Sequence, residues 1–188
     1  MEITFYRKLA DRVAEAVISN HHYSEPEAKR IRYGLVCIFS DLYKFILMFI
    51  IFSIFSATME FLLAFAAVLV LRPVLGGYHA KSEIICIIVS FGTMLASIVA
   101  GRSSLLPHFV QMVLLLLLPL AAILIAPVRT RKVIEKKRNY KILGAILTAA
   151  LLLLDYFFLQ DQILMVSVII IYFLSIYQLI KNKIHQRI

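Results

Sequence analysis

The sequence contains few charged side chains and no tryptophan. Charged residues make up 16% of the 188 positions, whereas a soluble domain carries about 25%, and hydrophobic residues make up 62%. A chain of this size cannot bury so much apolar surface in a single aqueous core. The composition therefore argues against a soluble enzyme, a disordered chain and a coiled coil, and it predicts a membrane protein.

Cysteines and ligand-binding motifs are also scarce. The two cysteines, Cys37 and Cys86, do not make a disulfide framework. The sequence has no phosphate-binding glycine loop, no HExxH zinc motif and no paired CxxC motif. We therefore predict no metal and no cofactor, so that any chemistry has to come from the side chains of the chain itself.

Acidic residues are outnumbered, with 11 Asp and Glu against 20 Lys and Arg, which gives a formal net charge of +9. In a soluble protein this excess would suggest nucleic acid binding. Here the basic residues lie between apolar runs, a position in which they set the orientation of a membrane protein. We therefore predict a bilayer with acidic head groups as a partner, and no nucleic acid.

The apolar runs predict an all-α fold, namely a polytopic membrane helical bundle with about six spanning segments and an N-terminal amphipathic helix. The runs lie at residues 34–57, 61–71, 84–101, 105–128, 142–159 and 163–180. The second run covers only about 17 Å as a helix, so it has to continue past Arg72 or span the membrane as a broken helix. We interpret residues 1–188 as one membrane domain, with an amphipathic region at 1–32, the bundle at 33–180 and a basic tail at 181–188.

The N-terminal region shows the spacing of an amphipathic helix. Tyr6, Leu9, Val13 and Val17 recur at intervals of three or four residues and predict one apolar face. This helix either lies on the membrane surface or packs on the bundle as a solvated helix.

The basic residues are distributed unevenly along the chain. Of the 20 Lys and Arg, 18 lie in 1–32, 72–81, 129–141 and 181–188. These regions share one side of the membrane if all six segments cross it. Because basic residues concentrate in cytoplasmic loops, we predict that both termini are cytoplasmic.

The first spanning segment contains two ionisable residues, Asp41 and Lys44, three positions apart and therefore on one helical face. Charged groups inside a membrane usually pair or face a polar interior. The two residues therefore either pair with each other or line a polar cavity.

The region between the second and third segments combines a histidine with a cysteine, the minimum pair for thiol catalysis. His79 and Cys86 are seven positions apart, which on one straight helix separates them by about 10.5 Å along the axis. A working pair therefore requires His79 to leave the helix that holds Cys86. Gly76 and Gly77 favour a turn, and Ser82 is a suitable N-cap for a helix that begins near Glu83. Cys86 would then lie in the first turn, where the helix dipole favours a thiolate.

Residues 72–80, Arg-Pro-Val-Leu-Gly-Gly-Tyr-His-Ala, with Cys86 seven positions after the histidine, resemble the accessory gene regulator B family of bacterial membrane endopeptidases. The size of the chain, its basic N-terminal region and its hydropathy profile agree with that family over essentially the whole length.

The resemblance implies a multi-pass cysteine endopeptidase of the bacterial cytoplasmic membrane that acts in quorum sensing. Such proteins cut the C-terminal tail from a small signal-peptide precursor and help to close the remainder into a thiolactone or lactone ring. Carried over to this chain, Cys86 is the nucleophile, which holds the peptide as a thioester, and His79 is the base. Gly76 and Gly77 would let the peptide backbone approach, and Arg72 would bind a carboxylate of an acidic tail.

Some alternatives stay open. A non-catalytic small membrane transporter or peptide-binding module would use Asp41 and Lys44 to line its pathway. Asp41, Ser82 and Glu83 are equal candidates for a third residue that orients His79. A homo-oligomer is compatible with the sequence, which does not reveal the peptide substrate.

Overall fold

The computed structural model describes residues 5–19, 23–76, 82–126 and 137–185. The regular elements in these ranges are helices without strands, which confirms the predicted all-α bundle. The helices are α1 (Phe5–Ser19), α2 (Glu25–Ile54), α3 (Thr58–Leu75), α4 (Glu83–Arg102), α5 (His108–Ile125), α6 (Lys137–Leu154) and α7 (Ile163–His185), with a π-helical turn at Asp155–Leu159. Within the described residues, six helical segments, corresponding to α2 to α7, are long and apolar enough to cross a bilayer.

Helix α2 begins well before the predicted start at residue 34, because the sequence contains a helix start signal further upstream. The side chain of Glu27 accepts hydrogen bonds from the backbone N–H of Ser24, at 2.9 Å, and from its hydroxyl, at 2.6 Å. Pro26 lies in the first turn, where its missing N–H costs nothing. The helix therefore extends through the predicted boundary between the amphipathic region and the bundle.

Helix α3 resolves the question raised by the short second run. It continues through Arg72 and Pro73 and ends at Leu75, so that its 18 residues cover about 27 Å. Pro73 has no N–H to donate to the carbonyl of Leu69, and α3 ends two residues later, at Leu75. The segment is thus long enough to cross, as the charge distribution required.

Helix α1 packs against α2, which agrees with one of the two interpretations of the N-terminal helix. The buried face carries Tyr6, Ala10 and Ala14 at intervals of four residues, and the Tyr6 ring stacks on that of Tyr43 at a centroid distance of 5.2 Å. Leu9 and Val17, two residues of the predicted apolar face, are exposed, so that face coincides only partly with the one that packs on α2. The small alanines allow the close approach of α2 that decides which face is covered.

The core is built around α7, half of whose apolar stretch is buried. The largest buried cluster joins α7 to α3, α5 and α6; among its buried members are Ala67, Leu71, Leu75, Ala122, Leu152, Leu164, Met165, Val168 and Tyr172. A second cluster joins α2, α3 and α4 around Phe61, which is fully buried. Large apolar side chains remain exposed along all six spans, as expected for surfaces that face lipid.

The three short connections meet at one end of the bundle, which we call the short-turn end (residues 55–57, 103–107 and 160–162). Arg102 forms an ion pair with Glu60 and joins α4 to α3. The backbone N–H of Leu106 donates to Oε1 of Gln162 at 3.0 Å. Gly76 and Ala126, at which α3 and α5 end, lie at the opposite end.

Asp155 is an acidic residue of the fifth apolar run and lies in the π-helical turn that follows α6. It is 2% exposed, and its Oδ2 accepts the backbone N–H of Met165 at 3.0 Å. The neighbouring Asp161 accepts the backbone N–H of Ile163, also at 3.0 Å. Both carboxyl groups therefore accept hydrogen bonds from N–H groups in the first turn of α7, which have no partner within the helix. The helix dipole favours negative charge at this position.

Candidate active site

Cys86 lies at the start of α4, as predicted. The helix begins at Glu83 and the backbone of Ser82 is extended, with φ −111° and ψ 140°. The N–H of Cys86 makes the first turn's hydrogen bond to the carbonyl of Ser82 at 3.1 Å. The helix that holds Cys86 therefore begins after His79. This agrees with the requirement that His79 lie outside that helix. The Ser82 side chain itself makes no capping hydrogen bond.

Gly76 ends α3 in a conformation that favours glycine. Its φ is 85° and its ψ is −174°, a region that other residues rarely occupy. The hydroxyl of Ser175, a buried residue of α7, donates to the Gly76 carbonyl at 3.3 Å. The predicted turn at Gly76 is thus present, and a contact from the central helix holds it in place.

A cavity of about 60 Å³ lies between α3, α4 and α7. Arg72, Gly76 and Cys86 line it together, so three of the predicted site residues meet at one place. Arg72 is half-buried, and its guanidinium has no hydrogen-bond or ion-pair partner among the described residues. The hydroxyl residues Ser90 and Thr93 of α4 continue the lining, and the rest of the wall is mainly apolar. The cavity therefore combines a cysteine, an arginine and a mainly apolar surface.

Gly77 and His79, the other two predicted site residues, lie outside the described residues. His79 stands three positions after Gly76 and three before Ser82 in the sequence. Its assignment as the base therefore stays a prediction.

Lys44, a charged residue on α2, contacts Cys86. Lys44 is 8% exposed, and its Nζ lies 4.0 Å from Sγ of Cys86. The same ammonium donates to the hydroxyl of Ser40 at 2.7 Å. That hydroxyl in turn donates to Oε1 of Glu83 at 3.4 Å. The polar residues of α2 and α4 thus form one chain that ends at the cysteine.

Asp41 takes no part in this chain. It is exposed, and among the described residues no ion pair joins it to Lys44. Of the two interpretations for these residues, mutual pairing is therefore wrong. Neither residue lines the cavity between α3, α4 and α7.

The three candidates for a residue that orients His79 differ in burial and in hydrogen bonding. Asp41 is exposed, and Ser82 makes no side-chain capping bond. Glu83 has a buried oxygen, Oε2, that has no hydrogen-bond partner among the described residues. Glu83 is therefore the one candidate of the three with a buried and unused acceptor close to Cys86.

Cys37 provides a contrast to Cys86. It is half-buried on α2 and does not line the cavity. In the described part of the chain no group of three or more His, Cys, Asp or Glu side chains could hold a metal ion.

The accessory gene regulator B family matches the chain over residues 10–181. The chain belongs to this family. The match covers most of the sequence and confirms the resemblance based on residues 72–80 and Cys86. The accessory gene regulator B family consists of membrane proteins of quorum sensing, and the six apolar helices agree with a multi-pass membrane protein.

Two relatives carry names that agree with the accessory gene regulator B family. A putative AgrB-like protein of Clostridium beijerinckii is 36% identical over 72 residues, which are 38% of this chain and 36% of the relative. Protein FsrB of Enterococcus faecalis is 32% identical over 88 residues, which are 46% of this chain and 36% of the relative. The matched stretch thus spans about a third of the length of each curated relative. No solved structure matches the chain.

Proposed function

We propose that this protein is a membrane cysteine endopeptidase that cleaves the C-terminal tail of a small signal-peptide precursor and promotes cyclisation of the remainder. The observation that carries the proposal is the meeting of Cys86, Arg72 and Gly76 around one cavity in a chain of this family. In this proposal Cys86 is the nucleophile and His79 is the base.

In the first step Cys86 attacks the carbonyl of the scissile peptide bond. A carbon–sulfur bond forms and the carbon–nitrogen bond of the amide breaks. His79 takes the thiol proton and passes it to the nitrogen of the departing tail. The N-terminal part of the peptide stays on Cys86 as a thioester.

In the second step a Cys or Ser side chain of the bound peptide attacks the thioester. Its proton passes to His79, the carbon–sulfur bond to Cys86 breaks, and a thiolactone or lactone ring is released. Ring closure competes with hydrolysis, so the reaction needs a site that excludes water. A small and mainly apolar cavity beside Cys86 suits that need.

Arg72 supports recognition of an acidic tail. Its guanidinium lines the same cavity as Cys86 and has no partner in the described part of the chain, so it is available to a peptide carboxylate. Gly76 and Gly77 provide backbone without side chains for the approach of the peptide. Glu83 is the residue that we retain for the orientation of His79.

The alternative of a non-catalytic transporter or peptide-binding module has less support. Its pathway was to be lined by Asp41 and Lys44, whereas Asp41 is exposed and Lys44 points to Cys86.

The direct test is co-expression of the protein with a small candidate precursor encoded beside its gene. Release of the C-terminal tail is followed by mass spectrometry of the peptide. We expect that Cys86→Ala and His79→Ala each abolish release, because one removes the nucleophile and the other the base.

Cys37→Ala is the matched control, since it removes a thiol that lies away from the cavity. It should release the tail at the rate of the unmodified protein. Tail release that persists in both Cys86→Ala and His79→Ala would contradict the proposed function.

A further inference from the structure

Lys44 places a buried ammonium next to a cysteine sulfur. It lies inside the spanning helix α2 and is only 8% exposed, with its Nζ 4.0 Å from Sγ of Cys86. A lysine inside a membrane protein is costly, and such residues usually pair with another group and serve a function. Its polar contacts among the described residues are the Ser40 hydroxyl and the Cys86 thiol, whereas the nearby carboxylate of Asp41 is exposed and makes no ion pair with it.

The ammonium is held in position by both α2 and α4. The Ser40 hydroxyl accepts a hydrogen bond from Lys44 at 2.7 Å and donates one to Glu83 at 3.4 Å. The ring of Tyr43 lies 5.8 Å from the ammonium, in the range of a cation–π contact. Lys44 is thus fixed and largely shielded from solvent.

The chemistry of the contact favours a negatively charged sulfur. An ammonium has three donors and no acceptor, so it interacts with Sγ only by donating to it. A donor of this kind binds a thiolate much more strongly than a neutral thiol. Because Lys44 is shielded from water, the attraction between the two charges is screened less than it would be at a surface.

The other charged groups near the sulfur do not replace Lys44. Glu83 carries a negative charge, and it reaches Lys44 only through the Ser40 hydroxyl. Arg72 lines the same cavity, but no hydrogen bond or ion pair in the described part of the chain ties it to Cys86. Lys44 is therefore the cation in direct contact with the reacting atom.

We propose that Lys44 is the charge partner of Cys86: its ammonium stabilises the thiolate, and Ser40 and Glu83 position that ammonium. The proton of the thiol leaves to His79 during cleavage, or to the buffer when no peptide is bound. The role in cleavage rests on the proposed function, whereas the effect on the reactivity of the sulfur does not.

The experiment measures how fast Cys86 reacts with iodoacetamide. This reagent is a neutral electrophile, and the thiolate form of the cysteine attacks it. The full chain is purified in detergent with Cys37→Ala, so that Cys86 is the only thiol, and the adduct is followed by mass spectrometry at pH 7. We expect Lys44→Met to slow the reaction by about tenfold or more, because it removes the charge and keeps the length of the side chain.

Three further variants separate charge from structure. Lys44→Arg keeps a cation and should react within about threefold of the Lys44 protein. Ser40→Ala removes the hydroxyl that holds the ammonium and should give an intermediate rate, which also serves as the test if Lys44→Met does not fold. Asp41→Asn is the matched control on the same helix, and its rate should not change. In denaturant all the variants should react equally.

The proposal is overturned if folded Lys44→Met reacts as fast as the Lys44 protein, or if Lys44→Arg is as slow as Lys44→Met. The measurement needs no peptide. A slowed reaction of Lys44→Met together with normal tail release by Cys86→Ala would therefore refute the proposed function. The proposal that Lys44 is the charge partner of Cys86 would still hold.

Discussion

At the scale of single residues, the buried hydroxyl of Tyr172 connects three helices. It donates to the carbonyl of Leu118 at 2.9 Å and lies 2.9 Å from the hydroxyl of Thr148, which is fully buried. Tyr172→Phe removes both contacts and leaves the Thr148 hydroxyl without its tyrosine partner. We expect a loss of about 1 kcal/mol in the free energy of unfolding, seen as a lower melting temperature in detergent.

The double variant Tyr172→Phe with Thr148→Val is the control for this prediction. Removing the second hydroxyl also removes the unpaired group, so that the double variant should be no less stable than Tyr172→Phe. If the losses of the two single variants simply add, the hydrogen bond between the hydroxyls contributes nothing and the argument fails.

The residues of the candidate site differ in how far the sequence could reveal them. Cys86 and Gly76 were predictable because local rules apply: a glycine pair favours a turn, and a serine precedes the helix that carries the thiol. The contact between Lys44 and Cys86 joins residues 42 positions apart. It depends on how α2 lies beside α4, which no local pattern contains. The one available signal was the pair Ser40 and Lys44 at a spacing of four, with Asp41 between them, in a mainly apolar segment.

At the scale of helices, α4 and α7 approach each other closely at Gly101. A Cβ at this position would lie 2.9 Å from the Cα of Ile163 and 3.1 Å from its backbone nitrogen. These are backbone atoms at the start of α7, so they cannot move aside without displacing the helix. Gly101→Ala should therefore destabilise the protein by about 1–3 kcal/mol, measured as a lower melting temperature in detergent.

Gly92→Ala is the matched control, since it makes the same change on the same helix. A Cβ at Gly92 would meet nothing within 4 Å, and alanine favours a helix more than glycine does. Its melting temperature should equal or exceed that of the unmodified protein. Equal destabilisation by both variants would show that the close approach to Ile163 is not what matters.

The existence of the helices followed from hydropathy, whereas their ends followed from capping and packing. The hydropathy pattern predicts that the first span begins at residue 34. Helix α2 begins at Glu25, because Ser24 and Glu27 form a capping box there. The fifth apolar run, at 142–159, contains Asp155, whose carboxyl group is buried against the start of α7. Hydropathy is an average over a window of residues. It therefore contains no information on the single hydrogen bonds that extend a helix or bury an acidic side chain.

At the scale of the whole molecule, the two ends of the bundle differ in chemistry. The short-turn end is closed by polar contacts such as the ion pair between Arg102 and Glu60 and the hydrogen bond between Leu106 and Gln162. At the opposite end lie Gly76, where α3 ends, and Cys86, in the first turn of α4. The two ends of the described bundle therefore carry different groups.

This asymmetry leads to a prediction for orientation in the membrane. The regions that carry 18 of the 20 basic residues should face the cytoplasm, because basic loops are retained on that side. The test uses a chain without its two cysteines and with one new cysteine, either Ser19→Cys on α1 or Ser103→Cys at the short-turn end, both at exposed positions. A maleimide that does not cross membranes should label intact spheroplasts only at position 103, and both positions after permeabilisation. Labelling of position 19 but not 103 in intact spheroplasts would reverse the orientation and place Cys86 on the outer side, away from a precursor made in the cytoplasm.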